Sequence, residues 1–271
     1  MTGLLPLFRP RLVLGNGIAA VGGYLLFPGV PGLSLLAGVL VAVSLLAAAG
    51  SALNQVLERD LDPLMQRTRR RPLPAGRLTA PAATFIGLSC AVGGSGILCL
   101  LGGIGPAAMG VAPLLWYLAV YTPLKRRTPF ALLAGAICGA APPVIGWCVA
   151  GGGPTDFRIV LLAGILFLWQ VPHFWLLQQK HADDYRRAGF KLFAVGTFPT
   201  PAPLMLLWMG AMMAGAMMLP AFGMLAGSAA ACCAAICAAL LLAALRRCES
   251  ALTACLHSFP LLLTLALCFG K

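Results

Sequence analysis

Seven acidic residues stand among 271, and five of them fall in two short segments, Glu58, Asp60 and Asp62 in one, Asp183 and Asp184 in the other. The first reads Asn54-Gln-Val-Leu-Glu58-Arg-Asp60-Leu-Asp62-Pro63 and runs on through Arg67 and Thr68 to Arg71, Pro72 and Leu73. Asn54, Glu58 and Asp62 recur at i, i+4 and i+8. On a helix that is one face, drifting about 40° per step. Pro63 disfavours helix at the residue before it, so the helix is expected to end at Asp62. Two anions at this spacing repel unless a hard divalent cation sits between them. Mg²⁺ accepts carboxylate and amide oxygens together with phosphate oxygens of a substrate. Arg67 and Arg71, close by, can take further phosphate oxygens, and arginine does so bidentately. The alternative is a solvated loop in which the carboxylates merely pair with neighbouring arginines. An EF-hand calcium loop does not fit, because its ligand pattern and its glycine are absent.

Two more segments carry polar groups of the same kind. Tyr121-Thr-Pro-Leu-Lys125-Arg126-Arg127-Thr128 places three cations together, and Pro123 predicts an irregular helix between Tyr121 and Lys125. The cations are either topology signals or a phosphate clamp facing the acidic site. Trp169-Gln170-Val-Pro172-His173-Phe174-Trp175 is followed by Lys180-His181-Ala-Asp183-Asp184-Tyr185-Arg186-Arg187-Ala188-Gly189. Asp183 or Asp184 is a candidate for a second Mg²⁺. His173 lies inside an apolar run, where a histidine is either a hydrogen-bonded core residue or part of a site. Gln170 and His173, at i and i+3, share a face if Pro172 leaves the helix intact.

The elements that must position these groups are membrane helices. The chain is 60% hydrophobic and 10% charged, with mean hydropathy +0.92, against about 45–50% and about 25% in soluble domains. That excludes an ordinary soluble domain, and disorder needs the opposite composition. Nine apolar runs appear, at about 12–27, 33–57, 80–102, 106–122, 129–150, 157–178, 199–219, 222–245 and 251–270. The predicted fold class is all-α, a polytopic bundle of nine transmembrane helices forming a single domain over 1–271. The run at 106–122 is short and is expected to be tilted or partly re-entrant.

Nine spans put 17 of the 19 Lys and Arg residues on one side and only Arg158 and Lys271 on the other. By the positive-inside bias, the N-terminus is then cytoplasmic and the C-terminus lies across the membrane. The net charge of +12 is explained by that bias, with no nucleic-acid partner. The start, through about Arg11, carries no signal-peptide cleavage pattern and reads as a cytoplasmic lead-in. The ten cysteines lie mostly in apolar runs and behave there as small apolar residues. Cys232, Cys233 and Cys237 are close enough in sequence to bind a soft metal, but no histidine or carboxylate is near.

Taken together, three segments resemble the UbiA superfamily of intramembrane prenyltransferases, and within it the branch that farnesylates protohaem. Residues 54–73 fit N-x-x-x-[DE]-R-D-x-D-x-x-M-x-R-T-x-x-R-P-L. Residues 121–128 fit Y-T-P-x-K-R-R-T and continue into Gly139-Ala-Ala-Pro142-Pro143-Val-Ile-Gly146-Trp147. Residues 169–189 fit W-Q-x-P-H-F-W followed by D-Y-x-x-A-G. The likeness is densest over about 54–190. It implies a bundle with a central cavity open to lipid, in a bacterial cytoplasmic (inner) membrane. It implies a Mg²⁺-dependent reaction of farnesyl diphosphate with protohaem, giving haem O and diphosphate. Asn54, Glu58 and Asp62 then match the metal-binding motif, and Asp184 matches the second acidic loop. Tyr121 and Lys125, with Arg67, Arg71 and Arg126, fall on the diphosphate side. His173, with Gln170 and Trp169, falls near the haem. A haem A synthase or a terminal oxidase under assembly is the implied protein partner.

The sequence departs from the pattern in places. Glu58 stands where Asp is usual, and no D-x-x-x-D closes the second loop. Phe190-Lys191-Leu192-Phe193-Ala194 replaces a stretch with two prolines. Three rival readings remain: a related enzyme with an aromatic or quinone-precursor acceptor, a secondary transporter, and a structural assembly subunit. Transporters carry repeats and polar groups at the membrane midplane, whereas here the polar clusters lie at one edge.

Overall fold

The computed structural model describes residues 5–30, 32–191 and 203–269. A short helix α1 (Leu5–Phe8) leads into α2 (Pro10–Leu26) and α3 (Leu33–Leu57). After a loop come α4 (Ala80–Gly102) and α5 (Ile104–Trp116), which passes through a π-helical turn, Tyr117–Tyr121, into α6 (Thr122–Leu124). Then follow α7 (Ala131–Val149), α8 (Phe157–Lys180), the short α9 (Ala182–Arg187), α10 (Pro203–Ala221), α11 (Gly227–Leu245) and α12 (Glu249–Phe269). Among the described residues eight helices are long and apolar enough to cross a membrane. The 17-residue α2 is a ninth long helix. The structure thus bears out the all-helical, polytopic reading, and the protein is an integral membrane protein. The expected start of the seventh run, at 199, lies outside the described residues.

Two expectations are corrected. The run at 106–122 is not short: helix continues from Ile104 to Leu124, 21 residues. Pro123 does not break it, because the preceding turn widens to π geometry. There the N–H of Thr122 reaches Tyr117 O, and the Thr122 hydroxyl donates to the same carbonyl at 2.8 Å. α3 stops at Leu57 with Glu58 as its cap, one turn earlier than Pro63 alone dictates. Asp62 then begins a 3₁₀ turn, Asp62–Leu64.

Lipid offers no hydrophobic drive for helix association, so close backbone packing holds such bundles together. The α2–α7 crossing shows the device. A Cβ at Gly23 would overlap the carbonyl of Pro143, and one at Gly146 would overlap that of Ala20. These reciprocal glycines let the two backbones touch. One apolar cluster centres on α7, α8, α10, α11 and α12 and includes Trp147, Met209, Cys233, Cys237 and Phe259. A second joins α2 to α5 and α7 through Val39, Leu46, Leu98 and Ile145. Cys233 and Cys237 are core residues, as their apolar surroundings in sequence predict. Phe85, Val92 and Leu100 of α4 point outward, the surface a bilayer requires.

Candidate active site

The loops after α3, α6 and α8 meet at one end of the bundle. The last turn of α3 contributes Asn54. Glu58 N–H donates to Asn54 O and Asp62 N–H to Glu58 O, both at 2.9 Å. The chain therefore coils on past the end of α3 and keeps the three side chains in succession along one line. All three are buried, with 2%, 4% and 0% of their surface exposed. Asn54 Nδ2 donates to Glu58 Oε2 at 2.6 Å, and Asn54 Oδ1 accepts from the Thr122 hydroxyl at 2.9 Å. Lys125 Nζ lies 2.5 Å from Glu58 Oε1. Arg71 Nη1 donates to both oxygens of Asp62 at 2.9 Å, and Thr68 Oγ1 donates to Asp62 O at 2.7 Å. Lys125 also rests over the Tyr121 ring, 4.9 Å from its centroid.

The electrostatics follow from burial. Removal from water pushes the Asp62 carboxyl above the usual carboxylate range, against the pull of Arg71, and the Glu58 charge pushes the same way. Burial likewise lowers the Arg71 guanidinium and the Lys125 ammonium, with Glu58 opposing the latter. Two buried carboxylates and two partly buried cations thus share one pocket. This is an oxygen donor set suited to a hard cation, in which each carboxylate is held by one long, flexible side chain. Among the described residues no three His, Cys, Asp or Glu side chains converge on one point, so an amide, Asn54, or a ligand oxygen must complete any cation site here.

From the α9 side, Asp184 reaches across. Its Oδ1 accepts from Gln66 N–H and its Oδ2 from Arg67 N–H, both at 3.0 Å, and Arg187 Nη2 also bonds Oδ1. Burial alone would raise this carboxyl, but the N–H groups of Arg67 and Gln66 and the Arg187 guanidinium together bring it below its ordinary value. Met65 and Leu61 of the first loop pack on Tyr185, Ala188 and Phe190. Arg67 lies over Tyr185 at 5.9 Å.

A model of the UbiA prenyltransferase family matches residues 17–266. The chain belongs to this family. It is 56% identical over 265 residues to the protoheme IX farnesyltransferase of Geobacter sulfurreducens, covering 97% of each chain. It is 39% identical to that of Oleidesulfovibrio alaskensis, over 81% of this chain and 78% of the relative. Among solved structures, a UbiA homologue from Aeropyrum pernix superposes with TM-score 0.76 at 20% identity, over 94% of this chain and 96% of the other. One from Archaeoglobus fulgidus bound to GPP and Mg²⁺ gives 0.66 at 14% identity, over 98% and 99%. At these identities the likeness is one of fold.

Within this UbiA bundle the structure unites Asn54, Glu58, Asp62, Arg71, Tyr121 and Lys125. It places three other predicted groups differently. Both oxygens of Asp184 accept from backbone N–H donors of the first loop, so in this structure it clamps that loop and does not converge with Asn54, Glu58 and Asp62. Arg126 faces outward and forks onto Asp60, at 2.9 and 3.0 Å. That pairing holds Asp60 below its ordinary value and leaves Arg126 outside the pocket. Arg67 lends its backbone to the clamp and its side chain to Tyr185. Further down, α8 is continuous through Pro172, yet Gln170 and His173 turn to different neighbours. The Gln170 amide lies where a Cβ on Gly139 of α7 would stand. The His173 ring stacks on Trp169 at 4.7 Å, and Trp169 Nε1 donates to Leu256 O at 2.6 Å. The stretch 190–194 lies outside the described residues from 192 on. Thr68, Thr122, Gln55 and His257 escaped the sequence reading. Gln55 Nε2 donates to Leu7 O at 2.7 Å and holds α1 against α3. A polar residue inside an apolar run is the signal that marks Gln55 and His257.

Proposed function

We propose that this protein transfers the farnesyl group of farnesyl diphosphate to a vinyl group of protohaem IX, with addition of water, giving haem O and diphosphate. The observation that carries the reading is the buried pocket in which Asn54, Glu58 and Asp62 meet Lys125 and Arg71. It stands on the apolar bundle of a UbiA member whose Geobacter relative is named protoheme IX farnesyltransferase. Such a pocket suits a diphosphate head with an isoprenoid tail in the bundle below.

The residues present fit Mg²⁺. Glu58 and Asp62 are paired with cations that a diphosphate would attract, and Asn54 adds a neutral oxygen. We assign Asn54, Glu58 and Asp62 to the metal; Mg²⁺ bound there would neutralise charge on the leaving diphosphate. Lys125 and Arg71, released from Glu58 and Asp62, bind diphosphate oxygens, and Arg67 stands at the edge of the same loop. Fixed cations aimed where charge develops stabilise ionisation of the allylic C–O bond. The apolar helices take the isoprenoid, at about 0.8 kcal/mol per CH₂ relative to water and less relative to lipid. Their exclusion of water protects the allylic cation until the vinyl group attacks. Asp184 positions the first loop without touching substrate. His173, Trp169 and Gln170 face the acceptor side. The bias of Lys and Arg to the rim side supports a rim on the cytoplasmic side of a bacterial inner membrane, with the C-terminus across it, and we propose haem A synthase or a terminal oxidase under assembly as the protein partner.

The test is a product assay on the full chain in lipid with Mg²⁺, protohaem and farnesyl diphosphate. Mass spectrometry should show hydroxyfarnesylethyl haem, abolished by EDTA. Farnesylation of a hydroxybenzoate in place of haem would overturn the acceptor assignment.

A further inference from the structure

Two turns below the rim, α8 and α12 bring two imidazoles face to edge. The rings of His173 and His257 are 4.7 Å apart at 70°. Nδ1 of His257 lies 2.6 Å from Thr253 O, and a carbonyl can only accept, so Nδ1 carries the proton. The Nε2 lone pair is then the open position. This is how a metal-binding histidine is prepared, one nitrogen donating to a backbone carbonyl and the other left as ligand. His257 is exposed on α12, so a large planar molecule can reach it.

His173 is the contrasting member. Its Nδ1 is buried with no hydrogen-bond partner, a state that a purely structural histidine avoids. Its ring is stacked on Trp169. Trp169 in turn is hydrogen-bonded to Leu256, the residue before His257, so the link between α8 and α12 is built beside the imidazole pair. Phe174, next to His173, meets Tyr121 edge-on at 6.5 Å, and Tyr121 lies under Lys125. Aromatic contacts therefore run from the imidazoles to the diphosphate pocket. His173 is seven residues before the end of α8 and His257 eight after the start of α12, which puts both about 10–12 Å along their helices from the rim.

We infer that this pair is the iron-binding site for the porphyrin substrate, with His257 Nε2 the axial ligand and His173 a positioning residue that bears against it. The inference rests on the haem reading above. Only a coordinate bond from the Nε2 lone pair to iron forms, with no change of protonation or oxidation state. Iron held here would seat the macrocycle about two turns below the rim that carries the proposed diphosphate pocket.

The test is a haemin titration of the full chain in lipid nanodiscs, with empty nanodiscs as control, read by Soret and visible absorption. The wild type should show an imidazole-ligated spectrum. His257→Ala should lose it, weaken haemin binding at least tenfold, and regain the spectrum on adding free imidazole. His257→Gln, closer in size, should behave alike, which separates loss of the ligand from loss of fold. Iron-free protoporphyrin should bind wild type and His257→Ala equally. An unchanged spectrum in both variants, or a spectrum lost only in His173→Ala, would overturn the assignment and leave the haem reading standing. A wild type that binds farnesyl diphosphate but no haemin would overturn the haem reading as well.

Discussion

Replacing Asp184 by alanine should free the loop that carries Asp62 and Arg71 without touching either residue. The carboxylate accepts from two backbone N–H groups at 3.0 Å, Gln66 and Arg67, 118 and 117 residues away in sequence. A hydrogen bond to a charged group contributes about 1.5–3 kcal/mol, and water recovers part of that at exposed donors such as these. Two bonds at the lower end of that range give about 3 kcal/mol, and the share that water recovers brings the net hold on the loop to about 2–3 kcal/mol. At 1.4 kcal/mol per tenfold, local opening becomes roughly 30- to 150-fold more frequent. Hydrogen exchange measured by mass spectrometry on peptides spanning 62–71 should speed up by that factor. Asp184→Asn keeps an acceptor for one N–H and sets an amide donor against the other, so it should produce about half the effect in kcal/mol. Arg187→Ala removes only a half-exposed ion pair and should cost under ~1 kcal/mol. The pH dependence has a definite sign. The Asp184 carboxyl is depressed from 3.8, so the clamp is complete above that value and fails only as pH falls through the lower, folded-state value. Protection should be constant from pH 8 to pH 5 after correction for intrinsic exchange. Exchange in Asp184→Ala within twofold of wild type would refute the clamp.

The other predictions concern the pocket and the bundle. Asp62→Asn, which keeps the shape of the side chain and removes its charge, should lower turnover by about 10²–10³-fold while far-UV circular dichroism stays unchanged. Lys125→Met fills the same space without charge and should weaken farnesyl diphosphate binding by about tenfold or more, read by titration. Gly23→Val drives a branched side chain into the Pro143 carbonyl; overpacking at this site should cost at least about 2 kcal/mol, seen as a lower thermal midpoint in detergent.

Much of the fold was legible because apolar runs of span length have one meaning in lipid, where every backbone group must bond within its own segment. The π turn was half legible. Pro123 announced irregularity, but the hydroxyl of Thr122 that helps close the widened turn cannot be read from spacing. The face Asn54, Glu58, Asp62 was legible at i+4 spacing, although the helix that makes it ends at Leu57. Which cation pairs with which carboxylate was not. Asp62 takes Arg71 from its own loop, Glu58 takes Lys125 from a loop 67 positions away, and Arg126, one residue further on, turns to Asp60. Such choices depend on where three loops converge. The same holds for Asp184: its type and place suggested a metal ligand, and only the approach of the Gln66 and Arg67 N–H groups showed it to be a clamp. His257 stood as a lone histidine in an apolar run, and what distinguishes it is the neighbour on α8.

On the proposed function, Asn54, Glu58 and Asp62 form the Mg²⁺-dependent diphosphate site, with Glu58 now held by Lys125 and Asp62 by Arg71. The direct measurement is farnesyl diphosphate affinity of wild type and Asp62→Asn in lipid, each with Mg²⁺ and with EDTA. Mg²⁺ should tighten binding at least tenfold in wild type and hardly at all in Asp62→Asn. Equal affinity with and without Mg²⁺ in wild type, or an undiminished Mg²⁺ gain in the variant, would contradict that site assignment.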